Sequence, residues 1–117
     1  ADNINKLGYD KVDAVLGVLS DKDIYSIVGP FLSLINNWYI GTINSERGMN
    51  SKEIKYRMNS VQKNTLSINT YPSIKSAFLS AKNSYTNGSL LLIYGSFYTV
   101  SEALQAHILS ASKKNAI

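Results

Sequence analysis

Four short apolar runs, each separated from the next by a stretch of helical spacing, constrain this chain more than any other feature. The runs are VDAVLGVL (12–19), WYIGTI (38–43), TLSIN (65–69) and LLLIY (90–94). Nearly continuous apolar runs suit strands covered on both faces, as in a parallel sheet. Strands that alternate with helices at this spacing are joined in parallel by right-handed crossovers. The expected architecture is α/β: a small doubly wound, Rossmann-like, mostly parallel sheet of about four strands with helices on both faces. With 117 residues, two prolines and no Gly/Ser linker, the chain reads as a single domain over 1–117.

The intervening segments carry helical signals. After SDKD, the residues Ile24, Ile27, Val28, Phe31, Leu32 and Ile35 form one stripe, with a kink expected at Pro30. Within SDKD the ordinary reading is that Ser20 or Asp21 caps this helix and Asp23 favours its positive end. Asn50 with Glu53 reads as a capping box, and Glu53 is correctly placed for an i,i+4 pair with Arg57. Ser73 caps a helix carrying Ile74, Ala77, Phe78 and Ala81 on one face. Thr99 with Glu102 reads as a second capping box, before a final helix bearing Val100, Ala103, Leu104, His107 and Ile108. The chain opens without Met, and Ile4, Leu7 and Gly8 read as the last turn of a helix with a glycine C-cap. A helix with an end but no beginning leads us to expect a piece of a larger chain, truncated at its N-terminal edge.

Composition narrows the chemistry. No cysteine is present, which excludes a disulfide framework, a thiolate metal site and a cysteine nucleophile. The single histidine, His107, rules out a histidine-cluster metal site and reads as half-buried packing. No GxxxxGK[ST], GxGxxG or metal-spaced acidic cluster occurs. Twelve Lys plus Arg stand against eight Asp plus Glu, but they are scattered and not interleaved with aromatics, so no nucleic-acid partner is expected. No apolar run approaches the roughly 18 residues that cross a bilayer, and no secretion signal is visible, so we expect no membrane partner and a cytoplasmic location.

In an open parallel sheet, ligands bind outside the carboxyl ends of the strands. Two segments there invite a function. SDKD places Asp21, Lys22 and Asp23 at the tip of the first strand, where a lysine suits a carboxylate or phosphate. GSFYTV places Gly95 at a tight turn and leaves Ser96 free to offer a hydroxyl and an amide to an anion. Arg47-Gly48, after the second strand, reads either as a surface arginine or as a guanidinium within reach of an anion, and Tyr98 either as a donor into a site or as cover for the sheet end. Trp38 and Tyr39 read as packing.

Three segments in this order, GVLSDKDI (17–24), WYIGTINSERG (38–48) and LLIYGSFYTVSEAL (91–104), resemble the C-terminal domain of folylpolyglutamate synthase/dihydrofolate synthase, of the Mur ligase C-terminal domain family. The resemblance covers roughly residues 10–110. It implies an ATP-dependent ligase of folate biosynthesis and one-carbon metabolism. Such an enzyme activates a folate or dihydropteroate carboxylate as an acyl phosphate, which the amine of L-glutamate attacks with Mg2+ assisting the phosphates. It further implies that ATP and Mg2+ bind mainly on an N-terminal/central ATPase domain, the partner of this domain in the same polypeptide. It makes Lys22 and Ser96 the glutamate-binding positions, with Asp21, Asp23, Arg47, Gly95 and Tyr98 in support and no catalytic residue in this stretch. Where family members commonly have histidine in GSFHTV, this chain has Tyr98. The family's Asp/His-Asn-Pro stretch would lie just before residue 1. These 117 residues alone are therefore expected to be inactive. The alternative reading is a stand-alone flavodoxin-like binding or regulatory module.

Overall fold

The computed structural model describes residues 8–61 and 67–115. The expected helix end at Ile4–Leu7 lies outside the described residues. The elements run β1 (Lys11–Leu16), α1 (Ile24–Val28), a 3-10 turn (Gly29–Phe31), β2 (Asn37–Gly41), α2 (Ser51–Val61), β3 (Ile68–Tyr71), α3 (Ile74–Asn83), β4 (Ser89–Tyr94) and α4 (Phe97–Asn115). The strands form one sheet, ordered β3-β2-β1-β4, and every pairing is parallel. This is the α/β sheet that the alternation of runs demands.

Alternate residues of each strand face opposite ways, and each face has its own apolar layer. On one face Val12, Ala14 and Leu16 join Trp38 and Ile40 beneath α1 and α2, which contribute Ile24, Val28, Ile54 and Met58. On the other, Val15 and Tyr39 lie beneath α3 and α4, which contribute Ile74, Ala77, Phe78, Ala81, Ala103 and Ala106. β1, flanked on both edges and covered on both faces, is buried from Val12 to Leu16. Trp38 and Tyr39 are core residues, as their place in the second run requires.

Several boundaries differ from the sequence expectation, each for a local reason. The stripe from Ile24 to Ile35 does not make one kinked helix: α1 stops at Val28 and Gly29–Phe31 tightens into a 3-10 turn. Pro30 has no N–H to give the carbonyl four residues back, and its ring crowds that carbonyl. The apolar residues still reach the core, with Leu34 and Ile35 buried beyond the turn. β3 begins at Ile68, paired with Trp38, three residues after the apolar run starts; Thr65 and Leu66 of that run lie outside the described residues. At α2, Asn50 Oδ1 accepts from Lys52 N at 2.8 Å while Glu53 turns to Arg57 at 2.9 Å, so the i,i+4 pair forms. Ser73 caps α3 in a reciprocal box with Ser76.

The last helix departs most. α4 begins at Phe97, and its cap is Ser96, whose Oγ accepts from Thr99 N at 3.2 Å. Thr99 and Glu102 do not form the capping box read from the sequence. Thr99 is fully buried, and the Glu102 carboxylate accepts from Lys75 N at 2.7 Å, in the first turn of α3. The buried face of α4 is Thr99, Ala103 and Ala106, while Val100, Leu104 and Ile108 are exposed. Small residues win that face because α4 packs closely across α3 and the sheet. His107 is exposed rather than packed on the core. Its ring meets Phe78 edge-on at 6.1 Å, and its Nδ1 lies 3.3 Å from Lys82 Nζ.

Candidate functional site at the strand carboxyl ends

All four strands run the same way, so the segments that follow them gather at one rim. The strand order puts a switch point there. β1 departs to α1 on one face of the sheet, whereas its neighbour β4 departs to α4 on the other. A crevice opens where adjacent connections diverge in this way. It is flanked by residues 17–23 after β1 and 95–99 after β4, the two segments that hold Lys22 and Ser96.

Glycines let the two segments touch. A side chain on Gly95, whose φ is +114, would run into the Gly17 carbonyl and Leu16. A side chain on Gly17 would meet Ile74 and the Thr99 hydroxyl. In place of a side chain, Thr99 Oγ1 donates to the Gly17 carbonyl at 2.8 Å. That commits the Thr99 proton, so the 3.2 Å contact between Ser96 Oγ and Thr99 Oγ1 has Ser96 as donor. Ser96 thus spends its hydroxyl on shaping the turn. What this turn offers an incoming anion is the pair of N–H groups of Phe97 and Tyr98, which have no partner inside the helix.

The β1 side is fixed by a second loop. Leu19 forms an isolated antiparallel bridge with Gly48. Met49 N donates to Val18 O at 2.9 Å and Ser20 N to Arg47 O at 2.7 Å. Gly48 is required there, since a side chain would collide with the Ile43 carbonyl. This backbone clip brings Arg47 to Asp21, where Nη2 and Oδ2 lie 3.2 Å apart at an exposed position. Asp23 is absorbed by α1: its Oδ1 accepts from Tyr25 N at 3.1 Å and its Oδ2 from the Ser26 hydroxyl at 2.7 Å. Lys22 is exposed and held through its backbone, its N–H donating to Leu19 O at 3.1 Å. Among the described residues its ammonium forms no ion pair.

Among the expected site residues, Asp21 and Arg47 are brought into contact, and Gly95 and Ser96 share one turn. Lys22 and Ser96 occupy neighbouring segments without a direct hydrogen bond between them. Tyr98 lines a shallow cavity of about 290 Å³ with Asn44, Phe97 and Glu102 on the α4 side of the rim, and neither Lys22 nor Ser96 borders it. Sequence reasoning missed Gly17 and Thr99 as the contact that joins the two segments. A Thr three residues after Ser96 signals a cap just as well, and only the sheet order shows that Gly17 lies beneath it.

Among the described residues no group of three His, Asp or Glu side chains could hold an ion, and no glycine-rich phosphate loop follows any strand. These residues do not fit a triphosphate or its divalent cation. Among the described residues no helix is long and apolar enough to cross a membrane.

No protein-family model matches the chain. Similarity to individual proteins is clear. A dihydrofolate synthase/folylpolyglutamate synthase from Buchnera aphidicola (subsp. Baizongia pistaciae) is 36% identical over 91 residues, 77% of this chain and 20% of that protein. The bifunctional folylpolyglutamate synthase/dihydrofolate synthase from Yersinia pestis, solved with AMPPNP and Mn ion, is 26% identical with a TM-score of 0.68, covering 86% of this chain and 22% of that one. E. coli FolC, solved with DHPP and ADP, superposes with a TM-score of 0.73 over 98% of this chain and 25% of that one, at 22% identity. The chain spans about a fifth to a quarter of the length of the proteins it matches.

Proposed function

The chain belongs, as a partial-length sequence, to the dihydrofolate synthase/folylpolyglutamate synthase family, and on that premise we propose that it forms the carboxy-terminal domain of an ATP-dependent ligase that adds L-glutamate to dihydropteroate or a folate. ATP and Mg2+ serve that reaction on a separate ATPase domain of the longer polypeptide. Among the described residues no three His, Asp or Glu side chains gather to hold an ion, and the Yersinia relative carries AMPPNP and Mn ion in a chain more than four times the matched stretch.

The role of this domain is to hold the amino acid. One observation carries the reading: the segments after β1 and β4 flank the switch point of the sheet. There the Lys22 ammonium supplies a point charge for one carboxylate of glutamate. The turn set by Gly95 and Ser96 supplies the Phe97 and Tyr98 amides for the other, with α4 pointing its positive end at the anion. Asp21 holds the Arg47 guanidinium, which keeps a second cation beside Lys22 without leaving it free to compete. Asp23 stiffens the start of α1 and so fixes where Lys22 projects.

One ammonium and two amides supply only a few kcal/mol before ordering costs, so the chain alone binds glutamate weakly. The test is a nuclear magnetic resonance titration of the 117-residue chain with L-glutamate, alongside an assay of ATP turnover with folate and glutamate. Shifts centred on Ser20–Asp23 and Gly95–Thr99, lost in Lys22→Ala, with no turnover, are expected. Turnover by these residues alone, or shifts confined to other elements, would overturn the proposal.

A further inference from the structure

His107 is the chain's single histidine, and the rim makes no use of it. It is exposed on α4, with its ring set edge-on to Phe78 of α3. Nδ1 lies 3.3 Å from Nζ of Lys82, also on α3, and Nζ makes a second contact of 3.2 Å with Ser110 Oγ of α4. An ammonium has protons to donate and no lone pair. Nδ1 is therefore the acceptor, and the ring carries its own proton on Nε2. Two partners thus orient the Lys82 amine, and one of them is a base.

Among the described residues no carboxylate pairs with this ammonium. α3 contains no Asp or Glu, and the one acid of α4, Glu102, turns to Lys75 N in the first turn of α3. Lys11, by contrast, lies 3.4 Å from Asp13. A carboxylate partner would hold a lysine in its charged form, whereas a neutral imidazole can accept the proton that a reacting amine sheds. A nucleophile in reach of a base, with the base oriented by a third group, is the arrangement that activates an amine. Lys82, His107 and Phe78 fill those three places. Both helices begin at the strand carboxyl ends, but Lys82 lies at the far end of α3 and His107 about three turns into α4. The pair is therefore separate from the anion-binding rim.

We propose that Lys82 is a site of N-acylation by a small acyl phosphate, with His107 as the proton acceptor. The neutral Lys82 amine attacks the acyl carbon and forms a C–N bond. The C–O bond to the phosphoryl group breaks, and its electron pair leaves with inorganic phosphate. The proton shed by the nitrogen passes to His107 Nδ1 and from there to water. The product amide is uncharged, so the cation that bridges α3 to His107 and Ser110 is removed.

The test incubates the 117-residue chain with acetyl phosphate and follows acetyl occupancy at each lysine by peptide mass spectrometry. Lys52 and Lys55, exposed on α2 and without ion pairs among the described residues, serve as internal standards. Lys82 is expected to react about tenfold faster than either, or more. His107→Gln keeps a hydrogen-bond acceptor beside Nζ but takes up no proton, and His107→Ala removes both. Each is expected to bring Lys82 down to the rate of the standards. A purely structural contact would leave the glutamine variant as fast as the parent. Lys82 reacting no faster than Lys52 and Lys55, or reacting at an undiminished rate in His107→Gln, would overturn the proposal.

Discussion

The Thr99 hydroxyl donates a 2.8 Å hydrogen bond to the carbonyl of Gly17, joining residues 82 positions apart in the chain. This bond ties the first turn of α4 to the end of β1. It also orders the rim, because it dictates that the Ser96 hydroxyl donates to Thr99 and not outward.

Replacing Thr99 by valine keeps the shape and deletes the donor. The buried Gly17 carbonyl is left unpaired and Ser96 loses its acceptor. A loss of about 1–3 kcal/mol is expected, read from urea unfolding, with Thr99→Ser retaining most of the wild-type stability.

Gly95 and Gly8 both have positive φ, at +114 and +91, but only Gly95 is crowded; a side chain on Gly8 would meet nothing within 4 Å. Gly8→Ala incurs backbone strain alone, about 1–2 kcal/mol. Gly95→Ala adds a collision with the Gly17 carbonyl and Leu16 and should be distinctly worse. Equal midpoints for the two variants in thermal unfolding would contradict the packing described for the rim.

Burial pushes the Tyr94 phenol above its ordinary value of 10.0, and its hydroxyl donates to Ile27 O at 3.2 Å. The folded state therefore favours the protonated ring. That stabilisation is fully present below about pH 10 and is lost as pH rises above it. Tyr94→Phe is expected to be less stable near neutrality by about 1 kcal/mol and to show a shallower decline above pH 10. Parallel alkaline declines in the two proteins would refute this.

The loop after β2 is held by backbone and not by charge. The Arg47–Asp21 pair is exposed, with side chains 68% and 53% accessible, so Arg47→Ala should change stability by about 0.5 kcal/mol or less. Gly48→Ala puts a side chain into the Ile43 carbonyl and should be strongly destabilising. Circular dichroism melts of the two variants separate these outcomes.

The parallel sheet was legible because β1 and β2 are apolar on both faces, which no edge or half-exposed strand needs to be. The face of α3 was legible because Ile74, Ala77, Phe78 and Ala81 all obey helical spacing and all prove buried. α4 misled because the bulky residues Val100, Leu104 and Ile108 share a stripe, whereas close packing selects Ala103 and Ala106. The SDKD and GSFYTV segments could be placed at the rim from strand ends alone. That they flank the switch point depends on β4 returning beside β1, a long-range pairing with no local signature. The Thr99–Gly17 bond was hidden for the same reason.

The Leu19–Gly48 bridge has a mechanical consequence. Clipped by the two backbone hydrogen bonds that make this bridge, the tips that bear Lys22 and Arg47 must swing as one flap, so any approach of a neighbouring domain that displaces one cation carries the other with it.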